Sequence, residues 1–487
     1  MMETAKADAV SPPAGQRLGL MLAVYAAITI MASVLLHLSS TSDYVGTDND
    51  DVMRLVEVRD FLSGQGWFDL TQHRLGLEGG TPMHWSRLID LPIAVLISFF
   101  ILFLDPLVAE AWALTLWPLL LIVPLLGAMG LAGQRAGGAL AMHVAFGLTA
   151  LLVLGTNRFQ PGSIDHHNAQ LVLIAVLAAA LTDPRRSVWS FTIAGIAAAT
   201  AISIGAETMP LVVTACGIVA VIWAVAGDTF APATRSFMFA LAGALSLFFF
   251  STTPPHLYPV VTCDSLSIGY FGLALIGAGL LVLSTFLARG QKVSVRLAAL
   301  GVNAVLVVAA ALFLAPKCLR SPLADLDPML VSDWLANVAE AQSVLDEARI
   351  KPGLLGGHYA VGLFAIAVCV FRLMRREHVP LHATLLPLLV VAWGVALVQV
   401  RGAIFANLLA VIPLSLLIAE LRSGARRNPR DLRAGLALLA CALVSVPSFW
   451  FVAGAMTTEG AAGLGNRAQT VRQGGPSRDC ISERGMA

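Results

Sequence analysis

Thr47-Asp48-Asn49-Asp50-Asp51-Val52-Met53-Arg54-Leu55-Val56-Glu57-Val58-Arg59-Asp60-Phe61-Leu62 opens the first long polar stretch of the chain. Three carboxylates stand at its start, and the residues after them have the pattern of a short helix that Gly64 and Gly66 stop. Acids are favourable at a helix start, where free N–H groups and the helix dipole point at them. Two readings stay open from these residues alone: Asp48 or Asp50 is an N-cap, or an acid here is a metal ligand. The rest of the chain is strongly apolar. Of its 487 residues, 57% are hydrophobic and 13% charged, with mean hydropathy +0.79. Soluble domains are about 25% charged. Apolar runs of about 17–22 residues recur, long enough to cross roughly 30 Å of hydrocarbon as helices. The chain therefore reads as an all-α polytopic membrane protein with membrane lipids around it. Its net charge of +1 gives no basic field and excludes nucleic acid as a partner. The six cysteines form no CxxC and no zinc spacing.

Outward from that stretch, residues 1–17, with Lys6 and Arg17, read as a cytoplasmic lead. Leu18 to Leu38 is the first span, an uncleaved anchor because no small-x-small site follows it. In the long loop after it, Trp67-Phe68-Asp69 and Met83-His84-Trp85-Ser86-Arg87 mix aromatic and charged groups, as headgroup-level segments do. Residues 90–104 are apolar but short, bounded by Asp90-Leu91-Pro92 and Asp105-Pro106, and are expected to lie on the outer face. Further spans are expected at 107–130, 138–156, 168–182, 188–205, 208–226, 236–250, 269–288, 297–314, 358–373, 380–399, 403–420 and 434–453, about 13 with the first. This count puts Arg185-Arg186, Arg235, the Arg289 to Arg296 and Arg372 to Arg376 groups, and the arginines from Arg422 to Arg433 on the cytoplasmic side, as the positive-inside bias requires. A full span at 90–104 would put Arg185-Arg186 outside. The domain at 18–455 then presents loops 39–106, 157–167, 251–268 and 315–357 outside, together with the tail at 456–487. The chain is expected in a bacterial inner or plasma membrane.

Those outer loops hold most of the chemistry-bearing residues. The second reads Asn157-Arg158-Phe159-Gln160-Pro161-Gly162-Ser163-Ile164-Asp165-His166-His167-Asn168. Asp165 and His167, at the mouth of a span, can reach one divalent ion of the Mg²⁺ or Mn²⁺ kind; the alternative is a polar loop capping the next helix. Pro328 to Arg349 reads as a helix with Asp333 near its start and Glu340 in its middle, on its own a solvated acid. Glu207 lies near a predicted outer span end. Arg401, at another, either snorkels or clamps phosphate with its planar fork. Cys263 and Cys318 both fall in outer loops, where oxidation is possible. Two unrelated thiols remain open there beside the expected pairing.

Together these pieces resemble the catalytic subunit of oligosaccharyltransferase, a membrane glycosyltransferase of the GT-C type. The resemblance runs over Asn49-Asp50 with Glu57 to Gly64, Asn157-Arg158 with Gly162 and Asp165-x-His167, Val338-x-Glu340, and Arg401. It implies that Asp50, Asp165, His167 and Glu340 hold a divalent metal (Mg²⁺ or Mn²⁺), with Asp50 and Glu340 serving the acceptor. It also implies that Arg401 holds the phosphate of a polyprenyl-linked sugar donor. Peptide-modifying members carry a soluble C-terminal domain with a Trp-Trp-Asp motif, which residues 456–487 do not contain, and Asn337 stands where they have Ser or Thr. The expected function is transfer of a sugar or oligosaccharide to an extracytoplasmic acceptor, whether protein, glycan or lipid. A flippase of lipid-linked glycans and a non-catalytic assembly subunit are the alternatives. A flippase would keep charges near mid-membrane, where this chain has few.

Overall fold

The structure is a computed structural model that describes residues 14–37, 45–46, 48–76, 78–320, 327–333, 335 and 338–472. Lys6, Thr47, Asn337 and the tail from 473 lie outside the described residues. Apart from a two-stranded ribbon, Thr71–Gln72 paired with Thr81–Pro82, the regular structure is helical. After α1 (Ala14–His37), the first loop contributes α2 (Asn49–Leu62) and the short apolar α3 (Arg87–Ile101). The bundle continues with α4 (Pro106–Leu154), α5 (His167–Leu181), α6 (Val188–Ile204), α7 (Met209–Ala226), α8 (Ala231–Thr252), α9 (Ile268–Leu287) and α10 (Val293–Leu314). Two short helices come next, α11 (Pro328–Asp333) and α12 (Val344–Ile350), then α13 (Val361–Met374), α14 (Val379–Val398), α15 (Gly402–Arg427), α16 (Leu432–Val444) and α17 (Pro447–Arg472).

Among the described residues, nine helices are long and apolar enough to cross a membrane, ten if the bent pair α16–α17 is one span. α4 is two arms, because the backbone leaves the helix at Gly137 and at Gly138, whose φ of 73° is a left-handed value that glycine tolerates. Counting the second arm and the two shorter apolar helices α5 and α6 raises ten to the expected thirteen. α15 is the axis of the bundle, with 89% of its apolar window buried, whereas the window of α10 is 0% buried. Gly402, Ala403, Ala406 and Ala410 let α4, α13 and α14 approach α15 closely, as small residues do between membrane helices.

Two expectations are corrected. The last span, placed at 434–453, is broken: α16 and α17 meet at 83°. Pro447 opens α17, and a residue before proline is pushed out of the helical region. α17 then lies against the turn that leads into α13. There a Cβ on Gly454 would meet the Gly353 carbonyl oxygen at 1.9 Å, and one on Gly357 would meet the Phe451 ring at 2.3 Å. The second correction is to Pro328–Arg349, which is not one helix. α11 ends at Asp333, Glu340 sits in a single 3₁₀ turn (Ala339–Ala341), and α12 starts afresh under a capping box made by Ser343 and Asp346. The break has a cause: Gln342 and Glu340 give their carbonyls to the backbone N–H groups of Val400 (2.9 Å) and Arg401 (3.2 Å), which a continuous helix would withhold.

Cys263 and Cys318 form a disulfide with Cα atoms 5.1 Å apart. It ties the 251–268 loop to the end of α10.

Candidate active site

α2 is fixed by its apolar face. Leu55 and Val58 pack with Ile89, Ile93, Ala94 and Ile97 of α3, with Ala113 and Leu114 of α4, and with Ile164. The polar face is thereby turned to the 157–167 loop. Asp48 is the N-cap, its carboxylate accepting from the Asp50 N–H at 3.3 Å. Asp51 is buried and accepts the backbone N–H groups of Ile164 (2.7 Å) and Asp165 (2.9 Å). A single acid of the first loop thus holds the backbone on which Asp165 is carried.

Asp165, His166 and His167 each place a ligand-type atom within 4.8 Å of the others, and all three are buried; Asp50 and Glu340 stand outside this trio. The Asp165 oxygens receive both rings, His166 Nδ1 at 2.6 Å and His167 Nδ1. His166 Nε2 faces Glu207 Oε1 at 3.4 Å, and Gln170 donates to the other Glu207 oxygen at 2.8 Å. Beneath the trio lies a guanidinium with no exposure. Arg54 reaches Asp90 at 2.9 Å, Asp165 at 3.5 Å and Glu57 at 3.7 Å, and its Cζ lies 4.4 Å from the centre of the Trp85 ring. Arg87, also buried, braces Asp90 from the far side at 3.1 Å and donates to Gln65 at 2.9 Å.

On the other side of the trio, Glu340 Oε2 lies 3.7 Å from His167 Nε2. Arg158 bridges Glu340 and Asp48, the latter at 3.2 Å. Arg401 heads α15, with Nη1 4.0 Å from Glu207. An open cavity of about 320 Å³ connects these groups; Arg158, His167, Glu340, Lys351, His358 and Arg401 line it. Arg401 Nε and Asn407 Oδ1 are buried here without a hydrogen-bond partner. Two unanswered polar atoms in one basic cavity match a ligand that can both accept and donate hydrogen bonds.

Burial and neighbouring charges move several of these groups from their ordinary ranges. Burial, then the charges of Asp165 and Asp48, push Asp50 up to about 6. Burial pushes Asp51 up to about 7, against the lowering effect of its backbone donors. For His166, burial opposes the charged ring, but Asp165 and Glu207 outweigh it and hold the ring up to about 10. Asp165 is likewise penalised by burial yet held well below the usual carboxylate range by the two histidines. The His166 nitrogens thus face Asp165 and Glu207, and Arg54 Nη2 also lies 3.2 Å from Nδ1. Burial and then Asp90 push Glu57 up to about 8 from 4.5. A carboxyl raised in this way adds stability that is complete below pH 4.5 and lost as pH rises through 8. The Glu57→Gln protein should therefore escape that loss. Thermal midpoints measured across this range should show it gaining on the wild type with rising pH.

The residues fit a divalent cation. His167 Nε2 is buried with no hydrogen-bond partner. Asp48, Asp51, Asp165 and His167 line a cavity of about 10 Å³, close to the least that holds one water. Carboxylate and imidazole donors suit Mg²⁺, Mn²⁺ and later divalent ions, and burying like charges is relieved by a cation. Asp51, Arg54, Asp90, Arg87, His166 and Glu207 were not singled out as site residues by sequence reasoning. For Glu207 and Arg54 a signal was present: an acid at a span end, and an arginine amid the apolar positions of α2.

No family model matches the chain, and no curated protein matches it in sequence. The fold does have counterparts. It is similar to that of solved oligosaccharyltransferases. Among the solved structures that share it is the archaeal oligosaccharyltransferase AglB from Archaeoglobus fulgidus in complex with an inhibitory peptide and a dolichol-phosphate. That structure has 14% sequence identity and a TM-score of 0.63, over 95% of this chain and 61% of that one. The apo form of the A. fulgidus enzyme gives 15% identity and a TM-score of 0.61 over the same shares. A complex of it with Zn and sulfate gives 14% and 0.59, over 94% of this chain and 58% of that one. The chain thus spans about three fifths of the length of the solved structures it matches.

Proposed function

We propose that this protein is a membrane glycosyltransferase that moves a sugar or oligosaccharide from a polyprenyl-phosphate or polyprenyl-pyrophosphate carrier to an acceptor on the outer side of the membrane. The observation that carries the proposal is the meeting of the Asp165–His167 pair with Glu340 on one wall of a cavity whose other wall is Arg401. The dolichol-phosphate bound to AglB supports a lipid-linked donor here, and the Zn bound in the same fold supports a divalent ion. Asp50, Asp165, His167 and Glu340 are the proposed holders of Mg²⁺ or Mn²⁺. When bound, the ion supplies electrostatic stabilisation while the carrier phosphate departs. The chain's own groups do the rest. Arg401 orients the carrier phosphate with its fork. Arg158 keeps Glu340 poised at the edge of the site, and Asp51 and Arg54 hold Asp165 in place.

The deciding experiment is transfer by purified protein from a synthetic polyprenyl-diphosphate sugar to an acceptor mixture, with and without chelator. Transfer abolished by chelation and restored by Mn²⁺ or Mg²⁺ is the expected result. Carrier translocation without transfer would replace the proposal with a flippase. Within the same assay, Arg401→Ala should weaken donor binding at least about tenfold, the scale of one charge-assisted hydrogen bond. Arg401→Lys should rescue it poorly, because an ammonium lacks the fork. Unchanged donor affinity in Arg401→Ala would return Arg401 to a snorkelling role.

A further inference from the structure

A second cavity, of about 1050 Å³, lies at the other end of the bundle. α14 separates the two: Val379 at its start lines this one, and its end at Val398 leads into Arg401, which lines the other. Twenty helical residues set the ends about 30 Å apart. The second cavity is lined mainly by α7 and α14, with the end of the first arm of α4 and the end of α5, and is mostly apolar, with Leu181, Phe191, Ile218, Ile222 and Phe230 among its walls. Val221 and Val225, which also line it, are 53% and 62% exposed on a membrane-crossing helix. The cavity therefore opens sideways into hydrocarbon, where apolar chains rather than water are the solvent.

Its mouth is polar, and the charges there can be sorted. Arg135 is paired with Asp183 at 3.7 Å, and Asp183 also accepts from Ser190 Oγ at 2.6 Å. His378 Nε2 faces Glu420 at 3.3 Å. Arg186 is left over. Its guanidinium lies 5.4 Å from the centre of the Phe230 ring and has no carboxylate partner among the described residues. Arg185 beside it is exposed and adds to the same positive field. Trp189, 77% exposed, comes three residues on, a side chain that favours the headgroup level of a bilayer. An uncompensated guanidinium at headgroup depth over a hydrocarbon slot has the polarity of one lipid molecule.

We propose that this cavity binds an anionic glycerophospholipid, with its phosphate on Arg186 and an acyl chain in the slot between α7 and α14. The assignment is independent of the transferase reading, since none of these residues belongs to the outer site. The lipid would fill a gap between helices that otherwise has no packing atoms, so it should stabilise the fold.

The test uses the full chain in detergent micelles with three probes: phosphatidylglycerol, phosphatidylcholine of the same acyl chains, and a polyprenyl phosphate. Native mass spectrometry reads retention, and thermal unfolding reads stabilisation. One phosphatidylglycerol per chain should be retained at least about fivefold over phosphatidylcholine, the scale of one basic side chain at an anionic headgroup, and should raise the midpoint. Arg186→Ala should bring that ratio close to one, whereas Arg289→Ala, an exposed arginine that does not line the cavity, should leave it unchanged. Gly217 lines the cavity, and a Cβ there meets nothing within 4 Å, so Gly217→Leu should fold and lower retention of both phospholipids by filling the slot. Equal retention of the two phospholipids by the wild type would overturn the proposal. So would an equal loss of selectivity in Arg289→Ala, or displacement of phosphatidylglycerol by the polyprenyl phosphate at equal concentration.

Discussion

Arg54→Ala should lower the stability of the folded chain by about 3–5 kcal/mol, the cost of removing one partner from a buried ionic network. The guanidinium has no exposure, is the common counter-charge of Asp90 and Asp165, and lies 3.7 Å from the Glu57 carboxyl. Its loss leaves Asp90 with Arg87, takes a cation from Asp165, and removes one from the face of Trp85. Reversible denaturant unfolding in micelles gives the difference directly. Arg54→Lys should recover part of it, since one ammonium cannot reach three carboxylates with fixed donors. A loss below about 1 kcal/mol for Arg54→Ala, the range of an exposed ion pair, would mean that water enters this network.

Asp165→Ala should lower sugar transfer at least about a hundredfold, as losses of oriented electrostatic groups do, and Asp50→Ala should do likewise. The two should differ in a second readout. Asp165 anchors both histidine rings, so its removal should also abolish the rise in thermal midpoint on adding Mn²⁺. Asp50 makes no such ring contact among the described residues, and its loss should only reduce that rise. His167→Asp should keep part of the activity, because it exchanges one oxygen- or nitrogen-donor ligand for another. If Asp165→Ala retained transfer within tenfold of the wild type, the trio would not be the reacting centre.

The bundle was legible in the sequence because hydropathy is a local property. Each span announces itself within about twenty residues, and the Gly137-Gly138 break falls at the start of the span expected at 138–156. The parts that were not legible depend on distant partners. Asp51 closes on a backbone 114 residues away, and Arg54 on an acid 36 residues away. Nothing near Asp51 distinguishes it from Asp50; the difference comes from which side of α2 the 157–167 loop crosses. His166 was passed over because D-x-H spacing favours alternate residues, whereas its role depends on Glu207 on a different helix. The helix expected across Glu340 failed for the same reason: the carbonyls of 340 and 342 are claimed by a turn at 400–401 that no local window contains.

The contact of α17 with the turn before α13 has a consequence for how the cavity at Arg401 is sized. Phe451 forms part of the cavity wall, yet its distance from α13 is set by positions with no side chain, Gly353 and Gly357 on one partner and Gly454 on the other. The width of the entrance is in effect a spacer made of missing methyl groups. A methyl at Gly454 would meet the Gly353 backbone, which yields only if the helix shifts, whereas one at Gly357 would meet the Phe451 ring itself. If the proposed function holds, the bulk of the substrate that can be admitted is set at residues that would not touch it.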